Sequence, residues 1–327
     1  MDILFTPFQI KNILLKNRIC IPPMVTLFSP KDSGIVTEKA VEHYRILAQG
    51  GPGLIIQEAT CVNKDGRLMD RQLGIWDDTQ IEGLKKISDS VHDEGCHIFL
   101  QIHHAGVIGI SKDPMCPSDY NYVNNKGMEI TGHEMTLADI HSIQRDFIEA
   151  GRRAYAAGYD GIELHGCHQY LISQFFNRRV NKRTDEYGVH PEKFTIEIIN
   201  GIRKITPENF IVGIRLGCFE PTLEDGINHA KILEQNGIDF LDISYGFQME
   251  HQPYSPDGYP YQDIIYAAKK IKEAVSVPVF AVGGIRTPET AESVLEETKV
   301  DIVDIGRGSL TNPNWANDAK KKRYSSL

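Results

Sequence analysis

The sequence lacks several features that would assign it to a specialised class of protein. It has no run of about 18 consecutive apolar residues, which a membrane-spanning helix requires. The segment from Met1 to Pro7 has no basic region followed by an apolar core, so it does not resemble a secretory signal. We therefore expect a soluble, cytoplasmic protein that has no membrane partner.

Paired cysteines and an excess of basic residues are also missing. The six cysteines include no Cys-x-x-Cys pair, which excludes the common zinc and iron–sulfur arrangements and suits free thiols in a reducing compartment. The 44 acidic residues outnumber the 35 basic ones, which argues against a nucleic-acid partner. No Gly-x-Gly-x-x-Gly motif follows the first strand, which disfavours the main structural rival, a doubly wound open sheet.

The sequence does contain eight short apolar runs, each followed by an amphipathic helical pattern. The runs are apolar throughout, as expected of parallel strands that are covered on both faces. Thr136 with Asp139 resembles a capping box, and Gly158 supplies the left-handed residue that ends a helix. Eight strand–helix units predict an α/β fold, a single (β/α)8 TIM barrel domain that covers residues 1–327.

The predicted units follow one another without a linker or a shift in composition. Two connections are long, from about His103 to Met135 after the third strand and from about Gln169 to His190 after the fourth, and such loops usually bind ligands. The predicted strands are Ile19–Ile21, Leu54–Gln57, Ile98–Gln101, Gly161–Leu164, Val212–Arg215, Phe240–Ser244, Val279–Val282 and Ile302–Ile305. The predicted helices are Thr37–Gln49, Asp78–Glu94, Thr136–Ala157, Pro191–Ile205, Thr222–Gln235, Gln262–Ala274, Thr287–Glu297 and Pro313–Lys322.

Polar residues collect where the strands end, which is the active-site face of such a barrel. The fourth strand runs into two imidazoles and a phenol, His165, His168 and Tyr170. Glycines after the last two strands predict a phosphate site, because bare backbone N–H groups can approach an anion there. In strand order the residues at these ends are Pro23, Met24 and Thr26; Glu58 and Ala59; Gln101 and His103; His165 and His168; Arg215; Ser244; Gly283 and Gly284; Gly306 and Arg307.

Short motifs at these positions recur in a fixed order along nearly the whole chain. They are Leu4-Phe5-Thr6-Pro7, Lys16-Asn17-Arg18-Ile19, Pro22-Pro23-Met24, Glu58-Ala59, Gln101-Ile102-His103-His104-Ala105-Gly106, His165-x-x-His168, Arg183-Thr184-Asp185-Glu186-Tyr187-Gly188, Ile214-Arg215-Leu216, Val282-Gly283-Gly284-Ile285 and Ile305-Gly306-Arg307-Gly308. Each motif is weak alone, but the ordered set is highly specific. On these residues the chain resembles the Old Yellow Enzyme family of FMN-dependent NAD(P)H oxidoreductases, in particular its bacterial single-domain, dienoyl-CoA-reductase-like branch.

The resemblance implies a flavoprotein with FMN as cofactor and NADPH or NADH as hydride donor. Val25 stands where many relatives place a Thr or Cys that tunes the flavin, and Thr26 is expected to take this role one position later. The other implied cofactor residues are Pro23, Met24 and Ala59 against the isoalloxazine, Gln101 and Arg215 at its pyrimidine edge, and Gly283, Gly284, Gly306 and Arg307 at the phosphate.

The same resemblance implies an ene-reductase that reduces the C=C bond of an α,β-unsaturated carbonyl compound in a ping-pong cycle. His165 and His168 would donate hydrogen bonds to the carbonyl oxygen, and Tyr170 would protonate the α-carbon. Gln169 departs from the usual Gly after the histidine pair. The chain ends at Leu327 without an iron–sulfur or second nucleotide domain, which implies direct reduction by NAD(P)H; a homo-oligomer is allowed.

Other interpretations of these residues stay open. The histidine pair could bind a metal, but no Glu follows the first His as in zinc peptidases, and we expect none. Cys167 is expected to be buried and directed away from the histidines by strand alternation. Glu58 is expected to make a structural hydrogen bond, and residues 178–187 to form an ordered turn.

Two rival functions also remain. A flavin-independent barrel that acts as a lyase or isomerase on a phosphate ligand usually needs a lysine or paired acids at the strand ends, which the sequence does not place there. A non-catalytic flavin-binding barrel is disfavoured because the two histidines and Arg215 are intact.

Overall fold

The computed structural model describes residues 3–124, 127–247 and 255–324, with side chains as far as Lys322. Met1 and Asp2, where the segment tested for a signal begins, lie outside these ranges. The strands are β1 (Phe8–Ile10), β2 (Ile13–Leu15), β3 (Ile19–Ile21), β4 (Leu54–Cys61), β5 (His97–His103), β6 (Met115–Cys116), β7 (Tyr120–Val123), β8 (Glu129–Glu134), β9 (Gly161–Gly166), β10 (Ile211–Gly217), β11 (Phe240–Ser244), β12 (Val279–Ala281) and β13 (Ile302–Asp304). The helices are α1 (Glu38–Gln49), α2 (Ile81–His92), α3 (Leu137–Ala156), α4 (Leu171–Phe176), α5 (Glu186–Val189), α6 (Lys193–Ile205), α7 (Leu223–Gln235), α8 (Asp263–Lys272), α9 (Pro288–Thr298), α10 (Arg307–Thr311) and α11 (Trp315–Tyr324).

Eight parallel strands close into a barrel in the order β3-β4-β5-β9-β10-β11-β12-β13, and β13 pairs back onto β3. The prediction of a (β/α)8 TIM barrel is therefore confirmed. The largest difference from the predicted strands is in β4, which continues to Cys61 through a register shift between Gln57 and Thr60. Glu58 and Ala59 consequently lie inside this strand rather than after it.

The helix boundaries follow the local signals in the sequence. Thr136 and Asp139 form the predicted capping box of α3, and Gly158, with a φ of 81°, follows its C-terminus. Pro288 lies in the first turn of α9, where a backbone N–H has no hydrogen-bond partner within the helix, so the N–H that proline lacks is not needed. Within the part of the chain that the structure describes, none of the helices is both long and apolar enough to cross a membrane.

The N-terminal hairpin of β1 and β2 closes one end of the barrel. Its buried Ile10 and Leu15 belong to the same apolar cluster as Phe99, Phe240 and Phe280 from inside the barrel. The ring of Phe240 stacks on Phe280 with centroids 4.8 Å apart and on Phe99 at 5.3 Å. We call these five residues the phenylalanine floor; they leave the opposite, C-terminal ends of the strands as the open face of the barrel.

The two long connections form one ordered structure over that open face. The first carries the small sheet β6-β8-β7, and the second carries α4 and α5. The Arg183 guanidinium joins them: Nη1 donates to the carbonyl oxygens of Pro117 at 2.9 Å and Met135 at 2.5 Å, while Nη2 pairs with Asp185. The ordered turn predicted over residues 178–187 is therefore confirmed.

Candidate active site

Two cavities meet at the open face of the barrel, and His168 lines both. The inner cavity has a volume of about 340 Å³ and the outer one about 700 Å³. Predicted cofactor residues that line the inner cavity are Pro23, Met24, Arg215, Gly283, Gly284, Gly306 and Arg307. Ser244, selected at the end of the sixth strand, lines this cavity too. Lining residues that the sequence analysis did not select are Asp304, Gln262, Arg286 and Tyr245.

One wall of the inner cavity is built from glycine backbone. Gly283 and Gly284 have φ values of 133° and 66°, which residues with side chains rarely adopt. A Cβ on Gly283 would lie 2.5 Å from the Ile264 side chain, so the chain turns too closely past α8 to carry one. The cations Arg286 and Arg307 line the same cavity. Exposed backbone amides beside two guanidinium groups suit an anionic group such as a phosphate.

Three predicted cofactor residues bond elsewhere in the described structure. Thr26 donates two hydrogen bonds to the Glu58 carboxyl: its backbone N–H to Oε2 at 2.8 Å and its hydroxyl to Oε1 at 2.6 Å. The carbonyl oxygen of Ala59 accepts a bond from Gln72, and Gln101 Nε2 donates to Glu163 Oε1 at 2.6 Å. The structural hydrogen bonding predicted for Glu58 is thus confirmed, and the Thr26 hydroxyl is committed to it.

Four side chains form a continuous hydrogen-bonded chain at the junction of the two cavities. His103 Nδ1 lies 3.1 Å from His165 Nδ1, and His165 Nε2 lies 3.1 Å from His168 Nδ1. His168 Nε2 continues the chain to Ser244 Oγ at 2.8 Å. Burial lowers the pKa of His103 and of His168 to about 3 and that of His165 well below its usual value. At neutral pH the three imidazoles are therefore uncharged, each with one N–H to donate.

Tyr170 lies beside this chain and lines the outer cavity. Its ring meets the rings of His103 and His165 edge-on, with centroids 4.5 and 4.7 Å apart. Burial raises the pKa of the Tyr170 phenol to about 12, so the group holds its proton at neutral pH. A phenol in this state can donate a hydrogen bond or a proton to a ligand in the outer cavity.

The backbone makes a sharp turn between the strand and this tyrosine. His168 and Gln169 have φ values of 55° and 67°, two consecutive left-handed residues. Gln169 thus occupies a conformation that glycine adopts without strain, and glycine is the residue that the resemblance led us to expect here. Gln174 supports the turn by donating from Nε2 to the carbonyl oxygen of Gln169 at 2.6 Å.

Cys167 corrects one sequence-based expectation. It is fully buried, as predicted, and burial raises the pKa of its thiol well above the usual value. It is not directed away from the histidines, because potential ligand atoms of His165, Cys167 and His168 all lie within 4.8 Å of one another. The neighbouring Arg215 charge, which contributes to the low pKa of both histidines, also disfavours a cation at this triplet.

Three buried acids lie next to Arg215 and were missed by the sequence analysis. Glu163, Asp242 and Asp304 come from β9, β11 and β13 and are 0%, 0% and 2% exposed. Arg215 Nε lies 3.2 Å from Asp242 Oδ2, an ion-pair distance without the alignment of a hydrogen bond. Period-two alternation could have found these residues, since Asp242 and Asp304 each follow an inward-facing apolar residue by two positions.

The sequence pattern of one protein family, the NADH:flavin oxidoreductase / NADH oxidase family, matches residues 3–326. The chain is also 37% identical over 340 residues to an NADH oxidase of Thermoanaerobacter brockii. That similarity covers 99% of this chain and 52% of the relative, so the chain spans about half the length of this curated relative.

Solved structures share the fold. A 2-naphthoyl-CoA reductase, in complex with 2-naphthoyl-CoA, superposes with a TM-score of 0.89 at 26% identity, over 98% of this chain and 52% of that one. An Old Yellow Enzyme homologue from Zymomonas mobilis superposes with a TM-score of 0.82 at 25% identity, over 98% of this chain and 92% of that one. The fold of nearly the whole chain therefore has counterparts among solved structures.

Proposed function

Because the chain belongs to the NADH:flavin oxidoreductase / NADH oxidase family, we propose that it is an FMN-dependent ene-reductase that uses NADH or NADPH. Membership confirms the predicted relationship to Old Yellow Enzyme and the predicted flavin and nicotinamide cofactors. The placement in the dienoyl-CoA-reductase-like branch stays a prediction. The observation that carries the proposal is that the buried Arg215 lines the same cavity as the glycines Gly283, Gly284 and Gly306 and the cations Arg286 and Arg307.

The polar groups of the inner cavity fit FMN. Gly283, Gly284 and Arg307 offer amides and a charge for the phosphate. Arg215 Nε is buried without a hydrogen-bond partner, which is unfavourable unless a ligand satisfies it. The pyrimidine edge of an isoalloxazine carries both donors and acceptors. When bound, FMN supplies the hydride acceptor and donor that amino-acid side chains lack.

Arg215 provides the fixed positive charge of the site. Its side chain is 7% exposed, so water screens it little and its field acts strongly within the inner cavity. Reduction of a flavin places negative charge at the pyrimidine edge, and a guanidinium held there stabilises that charge. Arg215 is therefore expected to favour reduction.

His165 and His168 would bind the carbonyl oxygen of the acceptor. Both are neutral and currently hydrogen-bonded to each other at 3.1 Å. An oxygen placed between the two rings would exchange that mutual bond for bonds donated by the imidazoles. Such donors draw electron density from the conjugated C=C bond, and removing one costs about 10²–10³ in rate in comparable oxyanion sites.

The outer cavity has a lining suited to a flat conjugated acceptor. Its walls include the aromatic Tyr120, Tyr122 and Phe247, and the protonated Tyr170 phenol lies where it would deliver a proton to the α-carbon. His168 lies between this cavity and the inner one. Nicotinamide and acceptor would then occupy the same place in turn, which gives ping-pong kinetics and inhibition by excess acceptor.

A second candidate has one observation in its favour. A flavin-independent barrel acting on a phosphate ligand needs paired acids, and the structure brings Asp242 and Asp304 together where the sequence showed none. This candidate predicts a colourless protein that does not take up FMN.

A visible absorption spectrum of the purified protein tests the proposal. We expect a flavin spectrum that bleaches anaerobically with NADH or NADPH and returns when cyclohexenone is added. A colourless protein that takes up no FMN contradicts the flavin assignment. Flavin that dithionite reduces and cyclohexenone reoxidises, but that neither nicotinamide reduces, contradicts direct reduction and indicates delivery of electrons by a separate domain or protein.

A further inference from the structure

The barrel interior contains a layer of charged residues between the phenylalanine floor and the inner cavity. We call Glu163, Arg215, Asp242 and Asp304 the carboxyl layer. Arg215 and Asp242 are direct neighbours in the paired strands β10 and β11, and Glu163 lies beside Gln101 in β9 and β5. The strands therefore hold all four side chains within one cross-section of a barrel that excludes water from below.

The charges of this layer do not balance if every acid is ionised. Three carboxylates against one guanidinium leave a net charge of −2 in a site where the acids are at most 2% exposed. Gln101 donates one hydrogen bond to Glu163, but neither carboxyl oxygen of Asp304 accepts a hydrogen bond from an N–H or O–H group of the described residues. A buried charge without a partner is so unfavourable that the group takes up a proton instead.

Asp242 occupies the centre of the layer. Its carboxylate lies 3.2 Å from Arg215 Nε, and its negative charge acts on both Glu163 and Asp304. Two carboxyl groups can bond to each other only if one of them carries a proton. The geometry is satisfied when Asp242 accepts from a neutral acid on either side and keeps its own negative charge for Arg215.

Building on the proposed function, we propose that Asp242 carries the negative charge of the carboxyl layer and that Glu163 and Asp304 are neutral acids that donate hydrogen bonds to it. The three acids are then positioning residues, which set the reduction potential of bound flavin through Arg215. The negative Asp242 offsets part of the Arg215 charge. The flavin would therefore be harder to reduce than an unopposed arginine would make it.

The surroundings support this distribution of protons. Burial and the charge of Asp242 raise the pKa of Glu163 and of Asp304 well above the usual range. The Cys20 thiol, which faces Asp304 from β3, stays neutral because burial raises its pKa as well. His165, close to Arg215, is held neutral by burial.

The flavin midpoint potential of three isosteric variants tests the proposal. Asp242→Asn removes the negative charge opposite Arg215 and should shift the equilibrium constant of flavin reduction at least tenfold towards the reduced form. For a two-electron couple this corresponds to a midpoint potential about 30 mV more positive. Asp304→Asn and Glu163→Gln replace neutral acids by neutral amides and should change that equilibrium less than threefold. Equal shifts in all three variants, or an unchanged potential in Asp242→Asn, overturn the proposal.

Infrared spectra of the apoprotein provide a second test that needs neither flavin nor a stable Asp242 variant. At pH 7, Glu163→Gln and Asp304→Asn should each lose one carbonyl band of a neutral carboxyl group, identified by its shift in D2O. If either spectrum keeps all of its neutral-carboxyl bands, the assigned protons are wrong. A wild-type protein that binds no FMN contradicts the proposed function instead, and the infrared result then still decides where the protons are.

Glu220→Gln is the matched control. Burial raises the pKa of Glu220 to about 8, so this variant should also lose a neutral-carboxyl band. Glu220 bonds to Ser173 and Asn177 rather than to Arg215, and the flavin potential should stay unchanged. A shift as large as that of Asp242→Asn would show that loss of any buried acid suffices, which overturns the specific role of the layer.

Discussion

The two ends of the barrel interior are built from the same strands but have opposite chemistry. On β11, Phe240 packs in the phenylalanine floor and Asp242, two residues later, belongs to the carboxyl layer. On β13, Ile302 belongs to the same apolar cluster as the floor, and Asp304, two residues later, belongs to the carboxyl layer. Because side chains alternate between the two faces of a strand, the apolar residue and the acid that follows it by two positions are consecutive side chains on the inner face of the barrel. The comparison indicates that stability depends mainly on the floor and that function depends on the open face.

A substitution in the phenylalanine floor should have the largest effect on the stability of the protein. Phe240→Ala removes a fully buried ring that stacks on two others, and should lower the free energy of unfolding by about 3–5 kcal/mol. The variant that remains folded should keep the wild-type flavin spectrum and the wild-type rate per bound flavin. Urea unfolding and stopped-flow absorbance measure the two quantities, with Phe240→Leu as a milder control. Loss of bound flavin without loss of stability would contradict the separation of the two ends.

The open face should show the converse behaviour. His168→Ala removes one proposed donor to the acceptor oxygen and should slow reoxidation of reduced flavin by cyclohexenone by about 10²–10³, or roughly 2.7–4 kcal/mol in activation free energy. Stability should change little, because His168 lies at the rim of two cavities rather than in the core.

Cys167→Ser provides the control for that prediction. The thiol lies between the two histidines in sequence and is buried, but it has no proposed part in the reaction. Rapid-mixing measurements of the oxidative half-reaction should therefore show a much smaller change than in His168→Ala. A comparable loss in both variants would assign the effect to disturbance of the loop.

Buried acids near the open face should make stability depend on pH. Burial raises the pKa of Glu58 from 4.5 to about 7, so the folded state holds a proton that the unfolded state loses above pH 4.5. Stability should fall as the pH rises from about 4.5 to about 7, by on the order of 3 kcal/mol for this group. Glu58→Gln should flatten that dependence in urea unfolding at pH 5 and pH 8. An equally steep dependence in the variant would assign it to other groups.

The smallest expected effect lies in the turn after β9. Gln169 has a left-handed φ of 67°, which strains a residue with a side chain by about 1–2 kcal/mol. Gln169→Gly relieves the strain, but the greater entropy of the unfolded chain costs about 0.4–1 kcal/mol, so the expected net gain in stability lies between zero and about 1.6 kcal/mol. Thermal unfolding measures it, and Gln169→Ala, which keeps the strain, should show no gain.

The sequence predicted the barrel well because each strand is a dense apolar run with a helical pattern behind it. It missed the small sheet of β6, β7 and β8, whose residues alternate between half-buried and exposed and so give a weak pattern. The end of β4 was placed early because the register shift after Gln57 interrupts the alternation on which strand boundaries depend.

The sequence predicted only part of the candidate site. Residues beyond the strand ends, such as Gly283, Arg307 and His168, were selected because that face of a barrel binds ligands, and they do line the cavities. Glu163, Asp242 and Asp304 lie within the strands and were missed because only residues at the strand ends were selected. For Asp242 and Asp304, the period-two alternation with an inward-facing apolar residue was the signal left unused. Cys167 was assigned the wrong direction because the chain leaves extended geometry at His168.

Binding of FMN to the apoprotein tests most directly whether the open face of the barrel is the flavin site. Gly306→Asp would place a carboxylate in the inner cavity, since a Cβ there meets only ordinary contacts with Pro22 and Met24 at 3.4 and 3.6 Å. Fluorescence quenching should show that wild type binds FMN more tightly than riboflavin, that Phe240→Leu keeps this preference, and that Gly306→Asp abolishes it. Equal affinity of wild type and Gly306→Asp for FMN would contradict the account.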